Sequence, residues 1–238
     1  MDDWGCIMES KEVGYPELRT IKVEVPGKDG YLDLSDALRG RPMYDNRPIK
    51  IVLAYKGELS QFGPKVTEIA ELIHGKVRSI VFDDEEAYTY SGRCSVSYEV
   101  AGLNICRITI DVDGKPFKRS QTAVRSTTNT LGGTTVAFYA SHSGDVSDKY
   151  SVLVKLPSAL EGTQKAYIQV KVFGRRTYTY KCKLTSSVTE FDCDGDSFSP
   201  DENGEINVGV SLYKKNGSVP SGYLTSVRLT VSLYKAVV

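Results

Sequence analysis

Three alternate aspartates, Asp192, Asp194 and Asp196, have the residue type and spacing in this chain that best suit metal chemistry. Carboxylates at alternate positions begin the calcium loop of EF-hand proteins, because Ca²⁺ takes six to eight oxygen ligands. Ser197 stands where that loop needs a glycine, and Asn203 stands where it needs a bidentate glutamate. We therefore predict an acidic surface loop without a resident metal or other cofactor, and keep the three aspartates as weak calcium candidates.

Three other patterns resemble parts of catalytic motifs. The carboxylates of Asp83–Glu86 suit acid–base work, but neighbours on a strand face opposite sides, so a solvated hairpin tip is the simpler interpretation. Ser141, His142 and Asp145 are close in sequence, whereas a catalytic triad needs its base oriented in space by a third group. The glycine pair at 132–133 lacks the lysine and the spacing of a P-loop. We therefore expect that the chain is not an enzyme.

The charge balance argues against a protein built to grip nucleic acid. The 238 residues carry 30 Lys and Arg against 30 Asp and Glu, which leaves no long-range positive field to attract phosphates. Apolar runs such as Ile49–Tyr55 are interrupted by lysine and fall far short of the roughly 18 residues of a membrane-spanning helix. We expect neither specific nucleic-acid binding nor membrane insertion.

The cysteines and the N-terminal segment favour folding in a cytoplasm. The cysteines are odd in number and scattered, with no C-x-x-C pair: Cys6, Cys94, Cys106, Cys182 and Cys193. This pattern favours reduced thiols over a disulfide framework or a zinc site. The start, Met1–Gly5, is acidic and lacks the basic segment and apolar core of a secretory signal peptide.

Residues 1–119 are predicted to form one domain of strands with a single helix. Pro64–His74 has apolar residues at helical spacing, with Pro64 in the first turn, Gly75 just past the end and His74 placed to cap the last carbonyls. Alternation predicts strands elsewhere, and the first of them is expected to be half-buried because its apolar residues share one face. The strands are Thr20–Val25, Pro48–Tyr55, Ile80–Asp83, Arg93–Val100 and Ile105–Val112.

The second half is predicted to be an antiparallel β-sandwich over residues 136–238, after a Ser/Thr/Gly-rich linker or arm at 120–135. Its predicted strands are Val152–Leu156, Ala166–Phe173, Thr177–Leu184, Ile206–Tyr213 and Leu224–Tyr234, of which the last two are expected to pair. The chain is therefore expected to be mainly β. A carbohydrate-binding face formed by the tyrosines of this half remains an alternative, although Tyr178 and Tyr180 fall on the side predicted to face the core. The tyrosines are Tyr139, Tyr150, Tyr167, Tyr178, Tyr180, Tyr213, Tyr223 and Tyr234.

Several segments of the first half, taken in order, resemble a known family. Val25–Ser35 is similar to the φ-P-G-x-D-G-x-L-D-φ-S segment of the distal tail proteins (Dit) of long-tailed bacteriophages. Tyr44–Ile51 resembles that family's Y-x-N-R-x-φ strand. Further matching segments follow in the family's order, so that the resemblance covers about residues 14–118: Ile73–Lys76, Phe82–Asp84, Tyr90–Arg93 and Asp113–Lys118.

The resemblance implies a first domain with a β-sandwich or split-barrel fold and one helix, related to tail-tube proteins, that closes into a hexameric ring. Members of the family lie at the tail tip, or baseplate, between the tail-tube protein and the tail-fibre or tail-lysin protein. DNA passes through their central hole without specific binding. The chain would then be a structural hub of a phage or prophage virion, made in the cytoplasm of the host bacterium. The alternatives are a tail-tube subunit and a soluble carbohydrate-binding module.

The matched residues are expected to support turns or assembly. Gly27 and Gly30 are expected to adopt positive φ in the turn after the first strand. Asp29 and Asp33 would accept hydrogen bonds from backbone N–H groups or pair with an arginine. Because ring closure joins two different surfaces, some of these residues would face a neighbouring subunit. The set is Pro26, Gly27, Asp29, Gly30, Asp33, Asn46, Arg47, Gly92, Arg93 and Pro116, with Arg47 and Arg93 as the expected partners of the two aspartates.

Overall fold

The chain divides into two compact units in a computed structural model. The first unit comprises Met1–Asp84, Thr89–Lys118 and Val238, and the second comprises Glu85–Tyr88 and Arg119–Val237. The structure describes residues 4–35, 37, 42–131, 137–156, 166–183, 190–193, 197–214 and 227–238. Strands dominate both units, so the protein is mainly β, as the alternation predicts.

The first unit is an antiparallel sheet packed on one helix. The elements are β1 (Cys6–Val13), β2 (Lys22–Glu24), β3 (Tyr31–Asp33), β4 (Arg47–Lys56), α1 (Leu59–Ile73), β5 (Val77–Ile80), β6 (Tyr88–Val100) and β7 (Ile105–Gly114), with a short 3₁₀ turn at Asp83–Glu85 between β5 and β6. In the sheet the strands follow the order β1–β4–β7–β6, β5 pairs with β6, and β2 and β3 form a separate hairpin.

Alternation along β4 and β7 explains why this sheet has one buried face. Apolar residues at alternate positions of both strands are buried in one core with α1, while the residues between them point to the opposite face. Burying each such aliphatic side chain contributes about 1.5–3 kcal/mol. The largest fully buried side chains of this core are Leu53, Phe62, Ile69 and Ile108.

Helix α1 begins five residues earlier than Pro64 predicts, so the predicted N-terminus was wrong. The side-chain oxygen of Gln61 accepts a hydrogen bond from the backbone N–H of Glu58 (2.9 Å), which satisfies a donor at the helix start. Pro64 lies inside the helix, where it gives up one backbone hydrogen bond. The C-terminal prediction was confirmed, because the helix ends at Ile73 and Gly75 follows with φ +71°.

The hairpin of β2 and β3 departs from the prediction of a half-buried strand. All residues of both strands are exposed, since β2 pairs only with β3 and no described layer covers its apolar face. The turn matches expectation, because Gly27 and Gly30 have φ values of +80° and +77°. Those conformations favour glycine over residues with a Cβ.

The second unit is a β-sandwich. Its strands are β9 (Arg125–Leu131), β10 (Ala137–Ser143), β11 (Tyr150–Lys155), β12 (Ala166–Phe173), β13 (Thr177–Lys183), β14 (Glu190–Phe191), β15 (Glu205–Lys214) and β16 (Val227–Val237), and the short β8 (Lys118–Ser120) lies at the boundary between the units in the chain. One sheet follows the order β10–β15–β12–β13, and in the other β16 pairs with β9 and β11, and β11 with β14. Buried residues of both sheets form one core, which includes Val154, Val170, Val208 and Val231.

Two sequence expectations for this half differ from the structure. Part of the predicted linker forms β9, where Ser126 and Thr128 hydrogen-bond the side chains of Ser232 and Thr230 on β16 (3.0 and 2.9 Å). The predicted pairing of β15 with β16 was wrong, because β15 pairs with β10 and β12. Alternation identifies the buried face of a strand and leaves its neighbours undetermined.

Tyr150 gives a pH test of the second unit's core. Its side chain is fully buried and its hydroxyl donates to Asp148 (3.1 Å). Burial, with Asp148 adding to it, raises the pKa of Tyr150 to about 12. An unfolded tyrosine has a pKa near 10. The unfolded chain therefore loses this proton first as the pH rises, and the stability due to the neutral phenol is complete below about pH 10 and declines towards pH 12.

We expect the free energy of unfolding to fall more steeply between pH 10 and 12 in the wild type than in Tyr150→Phe. Urea titrations of both proteins at pH 8, 10 and 11.5 measure the difference, and the other tyrosines cancel in the comparison. At pH 8 the variant should be less stable by about 1 kcal/mol, because it lacks one hydrogen bond. Equal slopes in the two proteins would contradict this account.

Candidate functional site

Three of the motif segments, far apart in sequence, meet at one end of the first unit's sheet. In the strand register, Gly114 on β7 lies opposite Arg47 on β4 and opposite Gly92 on β6. Arg93 lies opposite Asp113 in the same register. We call the group Asn46, Arg47, Gly92, Arg93, Asp113 and Pro116 the motif cluster. Topology assembles it from the start of β4, the interior of β6, the end of β7 and the segment that follows β7, which sequence spacing does not reveal.

Arg47 is the buried member of the motif cluster. Only 3% of its surface is exposed, and its guanidinium donates to the backbone oxygen of Pro116 (3.0 Å). The guanidinium carbon lies 5.4 Å from the ring centre of Tyr90, within the range of a cation–π contact. The Nε atom has no hydrogen-bond partner among the described residues. Arg47 therefore joins the start of β4 to the segment after β7 and to β6.

Gly92 is required by the close approach of β6 and β7. A Cβ atom at this position would lie 2.6 Å from both the backbone oxygen of Asp113 and the Cα of Gly114. Contacts this short are not tolerated by fixed backbone atoms. Next to it, the side-chain amide of Asn46 donates to Asp113 (2.8 Å) and connects the start of β4 to the end of β7.

Three cations lie at the C-terminus of α1. Lys76, Arg78 and Arg93 donate to the backbone oxygens of Glu71, Leu72 and Gly75, respectively. Positive charge at a helix C-terminus interacts favourably with the helix dipole. We call Lys76, Arg78 and Arg93 the basic cluster. Sequence analysis missed Arg78, although a basic residue shortly after a predicted helix end is a usable signal.

His74 binds the sheet instead of capping the helix carbonyls. Its Nδ1 accepts a hydrogen bond from the backbone N–H of Val96 on β6 (2.9 Å). Its own backbone N–H donates to Ala70 at the end of the helix. The imidazole therefore covers one outward-facing N–H group of β6.

Of the two motif aspartates in the hairpin, Asp33 forms hydrogen bonds with its neighbours and, among the described residues, Asp29 does not. Asp33 accepts hydrogen bonds from the backbone N–H (2.9 Å) and the hydroxyl of Ser35, and these bonds lower the pKa of Asp33. Asp29 makes no hydrogen bond or ion pair with the residues that the structure describes. Of the two predicted alternatives, acceptance from a backbone N–H is confirmed for Asp33. Pairing of either aspartate with Arg47 or Arg93 is not observed, because both arginines donate to backbone oxygens elsewhere. Pro26 starts the same turn, in which Lys28 N–H donates to Val25 (3.1 Å).

A groove of about 800 Å³ runs beside the motif cluster. It is lined by both acidic and basic side chains, which include Glu12, Asp45, Lys50, Arg93 and Asp111. In the described part of the chain, no three histidine, cysteine or acidic residues are grouped as a metal site requires. The groove therefore offers a contact surface with charged side chains of both signs.

The other sequence candidates lie in the second unit. Asp192 follows β14 directly, whereas Asp194 and Asp196 lie outside the described residues. Tyr178 and Tyr180 pack against the ring of Phe198 with centroids 5.4 and 5.8 Å away, which confirms the prediction that they belong to the core. No helix in the described ranges is long and apolar enough to cross a bilayer.

Substitution of Gly92 tests the close approach within the motif cluster. We expect Gly92→Ala to destabilise the first unit by about 1–3 kcal/mol, because the added methyl group collides with backbone atoms. The matched control is Gly102→Ala in the β6–β7 loop, where an added Cβ meets no atom within 4 Å and stability should change by less than about 0.5 kcal/mol. Urea denaturation measures both variants. Equal stabilities would show that β6 and β7 are not packed this closely.

Comparison with known proteins identifies no family. No protein-family model matches the chain, and no curated protein matches it. Among solved structures, it is similar to the SPP1 Dit (gp 19.1) protein, described as a paradigm of the hub adsorption apparatus in phages that infect Gram-positive bacteria. That similarity has a TM-score of 0.44 and 12% identity, and covers 97% of this chain and 93% of the other.

More distant similarities link the chain to other proteins. The insecticidal delta-endotoxin Cry8Ea1 of Bacillus thuringiensis gives a TM-score of 0.30 at 9% identity, over 97% of this chain and 42% of the toxin. The VP2 subviral particle of infectious bursal disease virus gives 0.22 at 10% identity, over 98% of this chain and 79% of that one. Scores of this size do not establish a common fold. The function proposed below therefore rests on the residues of this chain.

Proposed function

We propose that this chain is a structural, non-enzymatic subunit of a phage or prophage tail tip. It closes into a hexameric ring, joins the tail-tube protein to the tail-fibre or tail-lysin protein, and lets DNA pass. The observation that carries the proposal is the meeting of the Asn46–Arg47, Gly92–Arg93 and Asp113–Pro116 segments in one cluster. Segments that resemble one family and also contact one another support a shared structural role better than scattered matches do.

The edges of the first unit's sheet support ring closure. One edge of the sheet is β1. On the other side β5 pairs with Tyr90–Arg93 of β6, and no described strand pairs with the outer side of β6 beyond Cys94, so the two edges differ. The N–H and C=O groups of Cys94 face outward from β7, since they bond Lys76 and Gly75. By alternation, those of Tyr98 and Val100 also face outward, and in the described part of the chain no backbone group pairs with them.

Two different edges make a contact that repeats. If the β6 edge of one subunit pairs with the β1 edge of the next, the two terminal subunits of an open oligomer each keep one free edge until the ring closes. Closure removes both exposed edges, which otherwise invite uncontrolled pairing. Exposed apolar side chains along these edges, Ile7 and Met8 on β1 and Tyr98 and Val100 on β6, would gain cover in the same step.

The sheet face opposite α1 suits the wall of a DNA channel. Its charges alternate across neighbouring strands: Lys50 lies between Glu12 and Asp111 in register. The guanidinium of Arg107 forms ion pairs with the carboxylates of Glu9 (N–O distance 2.7 Å) and Glu99 (3.7 Å). A face with compensated charge lacks the fixed positive field that would hold phosphates.

Variants of the β6 edge test the proposal. Purified wild-type protein should give a mass near six times 26.2 kDa by light scattering after size exclusion, with annular particles in negative stain. Tyr98→Pro should be monomeric yet folded, because it removes an outward N–H that is not needed within the subunit. Tyr98→Thr retains that N–H and controls for loss of the aromatic ring, so it should still form rings.

Other masses would change the assignment. Stacked tubes of wild-type protein would favour the tail-tube subunit over the tail-tip hub. A wild-type protein that stays monomeric at every concentration up to the millimolar range would contradict ring formation. Binding to a glycan array that requires calcium, together with a monomeric state, would favour the carbohydrate-binding module instead.

A further inference from the structure

The hairpin of β2 and β3 presents an apolar face without cover. We call residues Ile21–Leu34 the hairpin arm, which is fixed at its base by the bond from Leu34 N–H to the oxygen of Ile21 (2.8 Å). Val23 and Leu32 lie opposite each other in register on one face, and Val25 extends that face. These three residues are 38–41% exposed. A two-stranded hairpin is marginally stable alone, so this arm would gain stability from a surface that covers it.

The first unit also contains an apolar groove of about 370 Å³ at β5. We call it the β5 groove: it is lined by Trp4, Ile51, Ile73, Arg78, Ser79, Ile80, Val81, Cys94 and Ile110. Val81 in its wall is 43% exposed, and Val77 and Leu72 nearby in the chain are also exposed. The groove is therefore an apolar recess with exposed apolar side chains next to it in the chain.

Charge distinguishes the two surfaces. The β5 groove contains Arg78, with Lys76 two residues before it, and both donate only to backbone oxygens and pair with no carboxylate among the described residues. The turn of the hairpin arm carries Asp29, an acid likewise without a partner in the described part of the chain. The arm thus offers an apolar face with a carboxylate at its end, and the groove offers an apolar wall with cations beside it.

We propose that the hairpin arm of one copy docks in the β5 groove of the next copy, with Asp29 paired to Lys76 and Arg78. The apolar face of Val23, Val25 and Leu32 then covers the groove. The occupant is a second copy because the complementary surfaces belong to one chain and differ from each other, which is the condition for a heterologous contact that repeats. The inference rests on the proposed ring and names one of its subunit contacts.

Disulfide cross-linking tests the contact directly. Lys28→Cys in the turn of the arm and Ser79→Cys in the groove leave Asp29, Lys76 and Arg78 intact, and the four native cysteines with described side chains are buried. After mild oxidation, the double variant should give a ladder of covalent species up to six chains on a denaturing gel. A mixture of the two single variants should give dimers only. Lys28→Cys combined with Thr67→Cys, on the exposed side of α1, is the matched control and should give no ladder.

Charge reversal provides an independent readout. Asp29→Lys should raise the protein concentration needed for half-assembly about tenfold, and adding Lys76→Asp in the same chain should restore most of that loss. The monomer's unfolding curve should not change in Asp29→Lys, since Asp29 has no partner within the described residues. If Asp29 acted only by stabilising its own turn, adding Lys76→Asp would not restore assembly.

The outcomes separate this contact from the ring itself. A covalent monomer of altered mobility, with no ladder, would show that the arm closes on its own groove and would overturn the proposal. Six-chain particles without any cross-link would leave the ring standing and overturn the contact. Wild-type protein that never assembles would overturn both.

Discussion

The close approach of β6, β7 and β4 at Gly92 and Gly114 is the constraint on which the motif cluster depends. Gly114 lies in register with both Arg47 and Gly92, and a Cβ on either glycine would meet backbone atoms at less than 3 Å. With the strands this close, the Arg47 side chain reaches the Pro116 oxygen, and Asn46 reaches Asp113. A buried guanidinium is costly without such partners, so the positions of these segments are mutually dependent.

The same unit has a packed core, while several of its edges and surfaces are left uncovered. Its core is closed by α1, and hydrogen bonds of Arg93 and His74 connect the helix end to β6. Beyond that point, the β6 edge, the hairpin arm and the β5 groove present apolar groups and backbone hydrogen-bonding groups to solvent. Single exposed apolar residues are ordinary on monomers, but complementary apolar surfaces with opposite charges on one chain are the arrangement expected of a self-assembling subunit.

Sequence reasoning succeeded where one face of an element is buried. The alternation of β4 and β7 and the helical spacing in α1 report burial directly, and the positive φ of Gly27 and Gly30 follows from local turn chemistry. It failed where the outcome depends on distant partners. The neighbours of β15, the pairing of polar β9 and the exposed state of β2 are decided by tertiary packing, and alternation contains no information on it. The motif cluster was recognised as segments, whereas its contacts required the fold.

Native mass spectrometry of the purified full chain tests the central claim most directly, because it counts subunits without a calibration by shape. The account predicts one dominant assembly of six chains that survives a several-fold dilution and contains no bound metal or cofactor mass. A closed dimer would contradict the account, because a two-fold contact joins identical surfaces and cannot join the different edges of β1 and β6. A monomer at all concentrations would contradict it equally.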